Sequence, residues 1–272
     1  MRIATRGSEL ARWQARRVAA RLGPGAELVV VETAGDRHRD VPIHEMGGQG
    51  VFVKEVQAAV LDGRVDLAVH SAKDLPSVPT PGLVIGAYPE RGDPRDALVG
   101  APLAAATVFA TGSARRRVQL ASARPDATFT GLRGNVPTRL TRVPDGGAVV
   151  VALAALQRLG LGARAAEILS PEVMIPQVGQ AALAVECREG DAAALAALAA
   201  IDDPAARCAV EAERAFLARL GGGCELPVGA LAAVDGDLIH IEGFLDGRRD
   251  RRTGPASAGP SLGCELAGAL LR

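Results

Sequence analysis

Through the first two hundred residues, short β-branched apolar runs alternate with stretches whose apolar side chains recur every three or four positions. That is the rhythm of strands followed by amphipathic helices. Ser8 stands where a helix N-cap belongs, and the helix it opens carries Leu10, Trp13, Val18 and Leu22 until Gly23-Pro24-Gly25 stops it. A strand is predicted at 27–32. Residues 33–50 hold four glycines and no apolar period, the pattern of a loop or lid. Its Gly47-Gly48-Gln49-Gly50 run lacks the Gly-Lys-Ser/Thr of a phosphate-binding loop. A helix is predicted at 51–61, then strands at 65–69 and 83–87 around a turn at 76–82. Residues 90–96 read as a crossover, after which the rhythm restarts with a strand at 107–110, a helix from 114, a strand near 128, a glycine-containing turn at 131–139 and a strand at 148–153. The apolar run 181–185, opened by Gly179-Gln180, is expected to return to the first unit. Beyond Pro204 the pattern changes to a helix at 205–220, a glycine-rich loop at 221–229, strands at 238–245, a polar hairpin-like stretch and a closing helix at 264–271.

This order predicts an α/β fold with largely parallel strands in three domains. The expected boundaries are 1–89 with 182–203 for the first, 90–181 for the second and 204–272 for a small α+β third. The first two form lobes on either side of a cleft. The alanine-rich stretch 191–200 carries little weight, because alanine, glycine and arginine are abundant throughout the chain.

Composition narrows the function. Lysine plus arginine and aspartate plus glutamate each total 31, so the formal net charge is zero and only local clustering can supply a basic site. With 3% aromatic residues there is also little for bases to stack on, which disfavours a nucleic-acid binder. Cys187, Cys208, Cys224 and Cys264 are widely spaced with no CxxC pair, reading as free thiols in a reducing compartment rather than as a disulfide frame or metal site. The N-terminus lacks an apolar signal core, no apolar span reaches membrane length, and a cytoplasmic monomer is expected.

Only two lysines, Lys54 and Lys73, stand against 29 arginines. Lys73 lies beside Asp74 where the 65–69 strand should spill into a loop, which marks Asp74 as a candidate acid or counter-ion; the plainer alternative is a surface ion pair. His70-Ser71 just before has no Gly-x-Ser-x-Gly elbow to support a nucleophilic hydrolase. Arg115-Arg116-Arg117 follow Thr111 and Ser113 at a strand-to-helix junction, where helix N–H groups and guanidinium forks suit carboxylates or phosphates. Arg133 and Arg139 flank a second turn, and Arg6 and Arg158 sit at other strand ends. Together they describe a cleft for a polyanion, with solvated surface arginine as the alternative at each position, and the favoured one for Arg117. Cys224 follows three glycines, so a bulky group can approach its thiol, which suits covalent attachment. The other three cysteines read as structural, and so does Lys54.

Seven stretches then align in order: 2–8, 47–55, 70–76, 93–96, 132–139, 178–180 and 222–229. As an ordered set they resemble the porphobilinogen deaminase (hydroxymethylbilane synthase) family. The resemblance implies two lobes similar to type II periplasmic binding proteins plus a third domain. It implies a transferase of tetrapyrrole (haem) biosynthesis that joins four porphobilinogen molecules head to tail with loss of ammonia and hydrolyses the product free. It also implies a dipyrromethane cofactor in thioether linkage to Cys224, with no metal. In that chemistry Asp74 would stabilise positive charge at a pyrrole nitrogen, with Lys73 beside it. Ser71, Lys73, Asp74, Thr111, Ser113, Arg115, Arg116, Arg133, Arg139 and Gln180 would hold the cofactor, and Arg6, Gln14, Arg133, Arg139 and Arg158 the substrate; Asp36 is carried over by the same match. The chain departs from the family where Glu45 and Gln49 replace loop lysines and where Ala155 and Ala181 replace glycines. The rival class is a two-lobed protein that binds an anionic solute without chemistry.

Overall fold

The computed structural model describes residues 1–33, 53–221 and 226–272. The predicted lid, Asp36 and Cys224 lie outside the described residues.

In the first lobe, β1 (Arg2–Thr5), β2 (Glu27–Val30), β3 (Leu67–Ser71), β4 (Leu83–Ala87) and β10 (Leu183–Arg188) form one sheet in the order β2-β1-β3-β10-β4. Alternate residues of each strand point to opposite faces. Ile3, Leu67, Val69 and Val185 pack with Ala15 and Val18 of α1 (Glu9–Leu22) and with Leu198 of α6 (Ala192–Ala199). Ala4 and Ala68 face Val56, Ala59 and Val60 of α2 (Lys54–Leu61). A sheet covered on both faces reads as continuous apolar strands rather than alternating ones, as it does here. Ser8 caps α1 by accepting the Ala11 N–H, and Asp191 caps the alanine-rich α6 through Ala194 N–H, each cap being worth about 1 kcal/mol.

The second lobe repeats the plan with β5 (Asp96–Gly100), β6 (Val108–Ala110), β7 (Thr128–Thr130), β8 (Ala148–Ala152) and β9 (Glu167–Ile168) in the order β7-β6-β8-β5-β9. Three short helices, α3 (Ala114–Ala123), α4 (Val136–Leu140) and α5 (Leu153–Arg158), follow β6, β7 and β8. In each sheet four strands run the same way and one runs against them. β1 runs parallel to β2 and β3, but β10 returns from the second lobe antiparallel to β3 and β4. β5 likewise enters antiparallel to β8 and β9. A chain that leaves a sheet and comes back from another lobe arrives at the far end, so its direction reverses.

Beyond 203, α7 (Pro204–Arg219) and α8 (Gly259–Leu270) cover one face of a three-strand antiparallel meander, β11 (Val228–Asp235), β12 (Leu238–Leu245) and β13 (Arg248–Pro255). A Cβ on Gly263 would lie 2.2 Å from the Ala212 carbonyl oxygen, so the two helices approach as closely as they do only because that side chain is absent. Two elements differ from expectation: β11 begins inside the expected glycine-rich loop, and β13 is a full strand despite Arg248, Arg249, Arg251 and Arg252. As an edge strand it has one open side, where charge discourages pairing with another chain. Among the described residues no helix is long and apolar enough to cross a membrane.

Candidate active site between the lobes

β1 and β3 run parallel and end at the same edge, so Arg6 and the single 3-10 turn Ala72–Asp74 emerge side by side. In the second lobe β6, β7 and β8 likewise end together, which brings Thr111, Arg133 and the start of α5 to one edge. The crevice outside the carboxyl ends of such strands is where open α/β sheets receive ligands.

The turn that carries Lys73 and Asp74 is gripped by the return crossover. Ala72 N–H donates to Ala182 O at 3.0 Å. Lys73 Nζ donates to Gln180 Oε1 at 3.3 Å, and Gln177 Nε2 to the Lys73 carbonyl at 3.4 Å. Gly179 has φ +69° and passes so close that a Cβ there would lie 3.0 Å from Lys73 N. The Asp74 carboxylate is exposed and makes no hydrogen bond or ion pair with the described residues.

On the opposite lobe Ser113 caps α3, accepting the Arg116 N–H, while buried Thr111 accepts the Ser113 N–H. Arg115 and Arg116 turn inward to a shared partner, fully buried Asp96. Arg115 Nη2 meets Oδ2 at 2.8 Å and Arg116 Nη2 meets Oδ1 at 2.7 Å. Arg115 Nη1 donates to Ile175 O and Arg116 Nη1 to Val150 O. Gln180 Nε2 completes the cluster at 2.9 Å from Asp96 Oδ1, so one amide joins Lys73 to the arginine pair. Arg115 therefore spends its terminal nitrogens on the scaffold. Arg116 keeps a buried Nε without a hydrogen-bond partner among the described residues.

A second group spans the lobes. Arg158 at the end of α5 lies 5.6 Å over the Trp13 ring of α1 and donates to Ala181 O at 2.5 Å. Beside Trp13 on α1, Gln14 Nε2 donates to Ser71 Oγ at 2.8 Å. Arg139 is held by its Nε on Gly134 O, Arg133 is exposed, and Arg6 is partly buried at the end of β1. Arg117 lies on the outer face of α3, 5.7 Å over Phe129, away from this set.

The electrostatics follow from crowding of positive charge in a desolvated space. Burial pushes the Lys73 amine down to about 8; Arg116 and Arg139 lower it further, while Asp74 and Asp96 partly restore it. Burial also takes Arg139 down to about 10, with Arg116 and Arg133 adding repulsion, and takes Arg158 to about 10. Burial alone would raise the Asp96 carboxyl, but Arg116 and Arg115 outweigh it and hold that group well below the usual carboxylate range. An anion placed among Lys73, Arg116 and Arg139 would relieve both the repulsion and the orphaned Nε–H.

Sequence reasoning did not assign Asp96, although an acid at the head of the apolar run Ala97-Leu98-Val99 was a readable signal. Nor did it find Gln177, or the fully buried Glu213 of α7. Glu213 takes both terminal nitrogens of Arg91, at 2.7 and 3.1 Å, and the N–H groups of Gly179 and Ala232. Helix periodicity places Glu213 on an apolar face, where nothing local announces a partner 122 residues away.

The chain matches the family model described as "Porphobilinogen deaminase, dipyromethane cofactor binding domain" over residues 1–196, and that family's C-terminal domain over residues 207–256. Three similar curated proteins are named porphobilinogen deaminase. That of Roseiflexus sp. (strain RS-1) is 47% identical, covering 99% of this chain and 95% of the relative. That of Acidothermus cellulolyticus is 45% identical over 100% and 88%, and that of Paracoccus denitrificans 43% over 98% and 92%. Among solved structures, a TRAP periplasmic solute binding protein from Anaerococcus prevotii is 11% identical with TM-score 0.39, covering 74% of this chain and 77% of that one. Two family-model matches in the right order, and identities above 40% along nearly the whole length, establish that the chain belongs to the porphobilinogen deaminase family.

Proposed function

We propose that this protein is a transferase that joins four porphobilinogen molecules head to tail, releases one ammonia at each addition and frees linear hydroxymethylbilane by hydrolysis. The observation that carries the assignment of roles is the Asp74 carboxylate, exposed and without a hydrogen bond to any described residue, beside the half-buried cations Lys73 and Arg139, whose charge it favours.

A dipyrromethane fits that cleft, because its carboxylates would meet the orphaned Arg116 Nε and the mutually repelling Lys73 and Arg139. Ser71, Lys73, Asp74, Thr111, Ser113, Arg115, Arg116, Arg133, Arg139 and Gln180 would hold it, with Cys224 as the covalent anchor. Gly229, five residues after Cys224, lies against Pro176 O and Arg115 Cδ, so the chain that follows Cys224 borders the arginine pair. When bound, the group supplies a tethered acceptor for the first addition.

This chain's residues do the rest. Arg6, Gln14, Arg133, Arg139 and Arg158 bind and orient the incoming acetate and propionate groups. Asp74 accepts the pyrrole N–H of the ring that loses ammonia and stabilises positive charge as it develops on that nitrogen, an interaction stronger in the transition state than in the ground state. Lys73 neutralises a neighbouring carboxylate and, through Gln180, ties the site to Asp96. The proposal includes the division into domains at 1–89 with 182–203, 90–181 and 204–272, which the three separate sheets support, and a monomer in the cytoplasm, in keeping with free Cys187, Cys208 and Cys264.

Asp74→Asn keeps size and donates where the carboxylate accepted. The variant is expected to fold and carry its cofactor mass while porphobilinogen consumption falls by about two to four decades. Near-normal turnover would remove Asp74 from this role.

A further inference from the structure

The Asp74 carboxylate feels the charges of Lys73 and Arg139 but makes no hydrogen bond with the described residues, so its direction is set by the backbone of its own turn. On the upstream side that backbone is held by Ala182 O, Gln177 and Gly179. On the downstream side the support is of another kind. Arg214, in the middle of α7, donates its Nη2 to Pro76 O at 2.7 Å and lies 3.5 Å from Ser77 O. Residues 76–79 receive no other hydrogen bond from the described residues, and the next fixed point is Thr80, whose hydroxyl donates to Gln57 at 3.0 Å.

A partly open cavity of about 340 Å³ adjoins the same segment, lined by Leu75 to Val78, by Tyr88 and Glu186, and by Arg214, Ala215 and Ala218 of α7. Leu75, directly after Asp74, is buried in the core with Ala72, Tyr88 and Val210, but packing does not back the next residues, Pro76 to Pro79, which are half-buried or exposed. Arg214 forms no ion pair with any described acid, so its charge is not engaged elsewhere. A charged donor on a carbonyl is stronger than a neutral one, and its geometry is directional.

We propose that Arg214 is a positioning residue for the reaction: reaching from the third domain to Pro76 O, it fixes the backbone that aims Asp74 into the cleft. The inference rests on the reading of Asp74 given above. Without the Arg214 strap the turn can relax into the cavity. A displacement of about 1 Å at a reacting group costs on the order of a hundredfold in rate. The arginines proposed to hold the substrate carboxylates would be untouched, so substrate affinity should survive.

The test compares wild type, Arg214→Met, Arg214→Lys and Asp74→Asn, each purified with its cofactor and assayed with porphobilinogen. Arg214→Met is expected to keep its cofactor mass and denaturation midpoint, to hold KM within about twofold and to lose about ten- to a hundredfold in kcat. Arg214→Lys, which retains one cationic donor, should fall between Met and wild type. In an Asp74→Asn background, Arg214→Met should lower kcat no further, since both act through one carboxylate. Wild-type kcat in Arg214→Met would overturn the proposal, as would a loss that simply follows lost cofactor or a lowered midpoint. If Arg214→Met does not fold, wild-type kcat in Arg214→Lys overturns it, and a lowered kcat at unchanged KM and midpoint supports it. An impaired Asp74→Asn beside an unimpaired Arg214→Met defeats the strap alone; a fully active Asp74→Asn defeats the reading on which it rests.

Discussion

Lys73 carries the clearest pH signature of any residue in the cleft. Its amine sits near 8 in the folded protein against an ordinary value of 10.5, because burial and the neighbouring Arg116 and Arg139 disfavour its charge. Between those two values the unfolded chain holds the extra proton, so the contribution of this group to stability rises with pH. Anion binding moves in the opposite direction, since the folded site loses a cation as pH passes 8. KM for porphobilinogen should therefore rise from pH 7 to 9, and Lys73→Met should raise KM at pH 7 while flattening that rise. A Lys73→Met profile parallel to wild type would assign the alkaline limb to another group. The Lys73–Asp74 pair was legible because lysine is scarce and the pair ends an apolar run. What the residues alone could not show was that Arg115 and Arg116 face a shared buried acid, for their partner Asp96 lies nineteen and twenty residues back on another strand.

At the scale of elements, periodicity located most helices and strands, because each lobe buries its sheet on both faces and the apolar runs are correspondingly continuous. Strand direction was not legible in the same way. β10 looks like any apolar strand, β5 falls just after the predicted crossover where no strand was expected, and only the path of the chain between lobes makes them antiparallel to their neighbours. The return crossover shows a second effect. Ala181 stands where glycine is expected and adopts φ +68°, whereas Ala155 replaces another expected glycine inside the ordinary helix α5. The left-handed conformation costs a non-glycine residue about 1–2 kcal/mol. Ala181→Gly should therefore raise stability by a few tenths to about 1 kcal/mol after glycine's added unfolded-state entropy, and Ala155→Gly should lower it. Chemical denaturation of the pair checks this, and the opposite ordering would contradict it. Gly179, at φ +69°, has no such freedom to change: a methyl group there would press on the Lys73 turn.

For the molecule as a whole, one buried carboxylate joins three regions. Glu213 belongs to the third domain, Arg91 to the outgoing crossover and Gly179 to the returning one, and the acid satisfies four donors without exposure. Breaking a buried pair by removing one partner's charge costs about 3–5 kcal/mol. Glu213→Gln should lower the thermal midpoint accordingly and loosen all three regions together, seen as increased amide exchange at Gly179 and Ala232; an unchanged midpoint would show that the junction is held by other means. This junction also places Gln177, Gly179 and Gln180 against the Asp74 turn, so the boundary between domains and the floor of the site are the same backbone. In the proposed reading the cleft grows a covalently held chain from Cys224 under the direction of Asp74. Intact mass of the protein, taken after exposure to limiting porphobilinogen, tests it most directly. The expected result is a starting mass with a dipyrromethane adduct that is absent in Cys224→Ser, and a ladder of up to four further increments, each one substrate less ammonia, that fails to advance in Asp74→Asn. An unmodified, active wild-type protein, or a full ladder in Asp74→Asn, would contradict it.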